Sequence, residues 1–68
     1  MMPNNPSPQL ILRARLASGL SQTKAAAVVW CQIRAWQQWE VGERKMQIGL
    51  FELFCLKTGQ QKLFDETI

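Results

Sequence analysis

Three side chains in the stretch "QIRAWQQWEVGERKM" can each make two directed hydrogen bonds at once: Arg34, Gln37 and Gln38. A guanidinium pairs two-pronged with guanine, a glutamine amide can do the same with adenine, and Ile33 beside them can touch a thymine methyl. Groups that move protons or hold metals are scarce by contrast. The chain has no histidine, only 5 acidic residues, and two cysteines, Cys31 and Cys55, with no CxxC between them. That composition argues against structural zinc, against a Cys/His nucleophile and against acid/base catalysis, so neither an enzyme nor a cofactor is expected. The competing reading of Arg34, Gln37 and Gln38 is a solvated polar face, which most exposed helices carry.

Helical spacing decides how these groups are presented. At 100° per residue, Trp36 and Trp39 fall on one side with Ala35, while Ile33, Arg34, Gln37 and Gln38 fall on the other. The tryptophans then anchor a helix from about 32 to 41, closed by Gly42, and the polar set projects outward. Ahead of it, "LSQTKAAAVV" predicts a helix capped by Ser21, with Ala25, Ala26 and Val29 as a narrow inward stripe that lets a neighbour approach closely. A first helix is expected from Ser7 as cap and Pro8 at its first position to Gly19, with Leu10, Ile11, Ala14 and Leu16 at helical spacing.

A fourth helix is expected from about 47 to 58, stopped by Gly59. Leu50, Leu53 and Phe54 share one side of it, and Ile48, Phe51 and Cys55 the opposite one. Apolar residues on both sides predict burial against two partners. The expectation is that Ile48, Phe51 and Cys55, joined by Leu63 and Phe64, form a homodimer interface. The chain thus divides into a disordered arm over 1–6, a helical domain over 7–59 and a tail over 60–68 available for dimerisation. No strand pattern or repeat occurs, so the fold class is all-α, with four to five helices.

Sixty-eight residues suffice for one small domain, and 47% hydrophobic content allows a modest core without metal or disulfide. The longest apolar run, "AAAVVWC", is far below the roughly 20 residues of a membrane span. Unpaired thiols and the absence of a charged leader lead to a cytoplasmic expectation. A net charge of +3 is compatible with nucleic acid.

The segment "GLSQTKAAAVVWCQIRAWQQWEVGER" resembles the helix-turn-helix of the phage Cro and repressor family, without a gap from about Leu12 to Lys45. The resemblance implies a lambda-repressor-like fold whose third helix enters the DNA major groove. It also implies base reading by Ile33, Arg34, Gln37 and Gln38, and phosphate contact by Gln22 and Lys45; Arg44, beside the third helix, is a weaker phosphate candidate by its place. Arg15 and Glu40 match a pair that joins the first and third helices. Within the family, "WQQWEVGERKM" is most similar to small phage-borne regulators that sit beside anti-CRISPR genes and repress their own operon. Two positions depart from the pattern. Trp30 stands where glycine usually takes a positive φ, and a tryptophan there costs about 1–2 kcal/mol, which leaves a reshaped turn open. Gln32 replaces the usual serine or threonine cap.

These readings combine into a sequence-specific repressor, dimeric on an inverted repeat of double-stranded DNA, that autoregulates a phage or mobile-element operon. No small-molecule ligand is expected in a chain of this length. The alternatives are an antitoxin-type promoter binder, or a protein-binding module built on the same scaffold. An acidic or apolar outward face on the third helix would favour the module.

Overall fold

In a computed structural model the described residues, 5–67, form five helices and no strand: α1 (Pro8–Ser18), α2 (Gln22–Val28), α3 (Ile33–Val41), α4 (Ile48–Lys57) and α5 (Gln61–Thr67). Short polar side chains set the early boundaries. Ser7 Oγ accepts the Leu10 N–H at 3.1 Å and Ser21 Oγ accepts the Lys24 N–H at 3.2 Å, each satisfying an orphan donor of a first turn. Gly19 ends α1 and Gly42 ends α3 in left-handed geometry, with φ of 75° and 84°. Gln32 starts α3 without a side-chain cap, as its amide chemistry suggested.

The core gathers around Trp36. Its ring meets Trp39 edge-on at 5.6 Å between centroids and tilts against Phe54 at 4.9 Å. Ile11 and Ala14 of α1 and Ala25, Ala26 and Val29 close the same cluster, and Met46 enters it from the loop before α4. Small alanines on α2, Ala25 and Ala26, are fully buried and let α3 lie close. Residues 1–4 lie outside the described residues. The expected disordered arm over 1–6 needs correcting at its end, because Pro6 is already buried.

The expected dimer surface also needs correcting. Phe51 and Cys55 have no exposed area, Phe64 is buried, and Ile48 and Leu63 pack half-buried against the core. The residues of the tail form α5, which folds back so that Phe64 covers Phe51 at 6.3 Å between ring centroids. Gln60 ties the start of that return to α1, its Nε2 donating to the Ala14 carbonyl at 3.0 Å and to Thr58 Oγ1 at 2.8 Å. The second apolar side of α4 is therefore covered from within the same chain. Burial pushes the Cys55 thiol up to about 11, so it stays protonated and acts as a small apolar filler.

Candidate functional site

α3 carries different chemistry on its two sides, and Glu40 organises the inner one. Arg15 Nε donates to Glu40 Oε2 at 2.5 Å and Arg15 Nη2 to Oε1 at 3.2 Å, a two-pronged pair joining α1 to α3. The Trp36 indole N–H donates to Oε2 at 2.5 Å, and Gln22 Nε2 donates to Oε1 at 3.0 Å. Arg15 Nη1 also reaches the Leu20 carbonyl at 3.3 Å, holding the α1–α2 connection. Burial alone would raise the Glu40 carboxyl pKa. Donation by Arg15, Trp36 and Gln22 and the Arg15 charge outweigh it, and the pKa falls below its ordinary value. The Arg15–Glu40 pair that the family resemblance implied is thus present. The Trp36 and Gln22 contacts were not read from the sequence, although a buried indole N–H needs an acceptor and Glu40 stands one helical turn away.

On the outer side, Ile33, Arg34 and Gln37 are exposed and Gln38 is half-buried. Arg34, Gln37, Gln38 and Glu43 line one open depression of about 420 Å³. The Arg34 side chain has no intramolecular hydrogen bond or ion pair among the described residues, so its guanidinium donors are free. The four expected base-reading residues therefore lie together on one exposed helix side. Glu43, which sequence reasoning left as a solvent-facing charge, belongs to this depression. Its carboxylate can accept from a cytosine amino group and opposes phosphate at that spot.

The expected phosphate residues separate. Arg44 and Lys45 are exposed and line a second depression of about 290 Å³, bounded by Ala35, Trp39, Gln47 and Leu50. The Arg44 N–H donates to the Gln38 carbonyl at 3.2 Å, so the backbone of α3 itself positions this basic loop. Gln22, for which phosphate contact was implied, lies apart from that loop and is half-buried. Its amide lies between Glu40 and Gln37, donating to the first and accepting from Gln37 Nε2 at 3.5 Å.

The connection between α2 and α3 keeps left-handed geometry. Trp30 has φ of 57°, the only non-glycine with positive φ among the described residues. The Cys31 N–H donates to the Ala26 carbonyl at 2.9 Å and the Trp30 N–H to that of Ala27 at 3.1 Å, the two bonds of a Schellman ending. The turn is therefore not reshaped to suit the larger side chain. The indole is 76% exposed, with Lys57 Nζ at 3.8 Å from its ring centroid. Among the described residues no cluster of His, Cys, Asp and Glu could hold a metal, and no helix is long and apolar enough to cross a membrane. Compared with protein-family models and with curated proteins, the chain matches none.

Proposed function

We propose that the chain is a sequence-specific DNA-binding repressor of helix-turn-helix type, with α3 as the helix that enters the major groove. The observation that carries this is the unpartnered Arg34 beside Gln37 and Gln38 on one exposed side of a helix whose other side is anchored by Trp36 and Trp39. Guanidinium and amide groups at that spacing suit base edges, and the exposed pair Arg44 and Lys45 on the following loop suits the phosphate backbone. An outward face of this composition does not suit a module that binds protein through an acidic or apolar surface. Packing of Phe64 into the core leaves the tail less available as the separate toxin-binding segment of an antitoxin.

Homodimeric binding to an inverted repeat remains part of the reading. The domain measures 30 Å in its longest direction, less than the about 34 Å between successive major-groove faces, so one copy reads one half-site. The contact between copies lies outside Phe51 and Cys55, which the monomer already uses. Repression follows from occupying a promoter, and the family resemblance extends this to autoregulation of a phage or mobile-element operon.

Selection from a pool of randomised duplex DNA tests the proposal. A preferred site should emerge, and Arg34→Ala should weaken binding to it by about 1–3 kcal/mol while relaxing preference at one base pair. Lys45→Ala should instead weaken binding to all duplexes alike and lower the salt slope by about one unit. No preferred site, or equal losses for Arg34→Ala on selected and random DNA, would overturn base reading by α3.

A further inference from the structure

We propose that Glu43 is a base-reading residue, its carboxylate accepting from the 4-amino group of a cytosine in the major groove. The inference rests on the DNA-reading function proposed above and adds to it a contact that selects among bases more than it strengthens binding.

Its placement comes from the end of α3. Gly42 leaves the helix in left-handed geometry at φ of 84°, and the Arg44 N–H donates to the Gln38 carbonyl at 3.2 Å. The backbone on both sides of Glu43 is thereby fixed to α3, and its side chain lines the same open depression as Arg34, Gln37 and Gln38. Glu43 is exposed, and its carboxylate makes no hydrogen bond or ion pair among the described residues. It stays unpaired although Arg34 lines the depression with it and Arg44 and Lys45 follow it in the chain. The charge therefore supports nothing inside the fold. Beside phosphates it is repelled, so it lowers affinity on every duplex.

What such a group recognises follows from its chemistry. An ionised carboxylate only accepts hydrogen bonds, whereas a guanidinium only donates and a glutamine does both. In the major groove the amino groups of cytosine and adenine are the donors, while guanine and thymine present acceptors. The adenine amino group stands beside N7, another acceptor, which repels the second carboxylate oxygen. The cytosine amino group stands beside a C–H edge and has no such neighbour. Glu43 thus favours cytosine, takes adenine less well and rejects guanine and thymine. Arg34 lies in the first turn of α3 and Glu43 just beyond its last, about 10 Å or more apart by helical rise. Roughly three base steps of 3.4 Å fit that span, so the two residues read different base pairs.

Two measurements separate base reading from plain repulsion. A site is selected from randomised duplex DNA with the unaltered protein, and the positions that respond to Glu43→Ala and to Arg34→Ala are identified. They should lie about three base pairs apart, with cytosine favoured over thymine at the first. Glu43→Ala should lower that cytosine-over-thymine ratio roughly tenfold, yet tighten binding to unrelated duplexes, because it removes a negative charge from the interface. The second measurement alters the DNA. A methyl group on the 4-amino nitrogen of that cytosine leaves the hydrogen used in base pairing and removes the one in the major groove. The unaltered protein should lose roughly tenfold on this duplex, and Glu43→Ala should bind the methylated and plain sites alike. Glu43 is exposed and unpartnered, so circular dichroism of Glu43→Ala should match that of the unaltered protein.

Equal tightening by Glu43→Ala on the selected site and on unrelated DNA would make the carboxylate a repulsive charge only, and overturns base reading by it. A response at the same base pair as Arg34→Ala also overturns it, because Glu43 would then act by aiming the guanidinium. Both results leave base reading by α3 standing. A failure of the unaltered protein to select any site overturns the DNA-reading function itself, and is seen before any variant is made.

Discussion

Two helix pairs in this chain are joined by the same backbone device and put to different uses. α2 ends in a Schellman pattern, with Trp30 at the left-handed position, before α3. α4 ends in the same pattern before α5, with Gly59 there at φ of 73°. In the second pair the Gln60 N–H donates to the Cys55 carbonyl at 2.6 Å and the Gly59 N–H to that of Leu56 at 3.3 Å. The first pair is bridged by a carboxylate and leaves Arg34, Gln37 and Gln38 toward solvent. The second is closed by aromatic packing of Phe51 on Phe64. Local geometry sets where the second helix of each pair begins. What lies between the helices decides whether the pair presents chemistry or buries it.

The largest effect is expected where the second pair is broken. Phe51→Glu puts a charge without a partner at a site with no exposed area. Stranding a buried charge costs about 3–5 kcal/mol, comparable with the whole stability of a domain this small, about 3–10 kcal/mol. Circular dichroism should therefore show loss of helix. A variant that stays fully helical and merely changes from dimer to monomer would mean that Phe51 faces a second copy and that α5 does not cover it.

That expectation reverses the one drawn from sequence, and the reason is physical. Periodicity shows that α4 has two apolar sides but says nothing about what covers the second. Leu63 and Phe64 are the only strong apolar residues of the tail, and the expectation joined them to a contact between two copies. Covering Phe51 takes one well-placed ring, and Phe64 supplies it. The boundaries were more legible because their causes are local: Ser7 and Ser21 as caps, and Gly19, Gly42 and Gly59 as stops. The outward set on α3 was legible for the same reason, since it follows from spacing alone. The place of Gln22 was not, because its partners Glu40 and Gln37 lie 18 and 15 residues away in sequence.

Breaking the first pair should cost somewhat less than Phe51→Glu. Glu40 and Arg15 side chains keep 8% and 17% of their area exposed. Glu40→Ala leaves Arg15 without its counter-charge and the Trp36 and Gln22 donors without their acceptor. The expected destabilisation is about 3 kcal/mol, at the lower end for a buried pair. The contribution depends on pH with a defined sign. Because the folded carboxyl pKa lies below its ordinary value of 4.5, the stabilisation is complete above that value. It is lost as pH falls below 4.5 through the lowered folded value. Glu40→Gln should flatten this acid limb of the melting-temperature profile. An unchanged limb would mean that the carboxylate is not bound as described.

The smallest effect isolates the device common to both pairs. Trp30→Gly by itself mixes three terms of similar size: relief of left-handed strain, about 1–2 kcal/mol, greater freedom of the unfolded chain, about 0.4–1 kcal/mol, and loss of the Lys57 contact with the ring, about 0.5–1 kcal/mol at an exposed site. They nearly cancel, so this single variant says little. Comparing Trp30→Gly with Trp30→Ala removes the ring from both sides of the comparison and leaves only the backbone. Glycine should then be better than alanine by about 1 kcal/mol, strain relief less unfolded-chain entropy. Gly59 against Gly59→Ala poses the same question at the second turn, where an added Cβ meets nothing within 4 Å and sterics do not interfere. The two differences should agree within about 0.5 kcal/mol, the usual limit of additivity for separated sites. A difference near zero at position 30 alone would show that the first turn abandons left-handed geometry once the tryptophan is gone. The Trp30 ring and its Lys57 contact would then be what holds α2 and α3 in register.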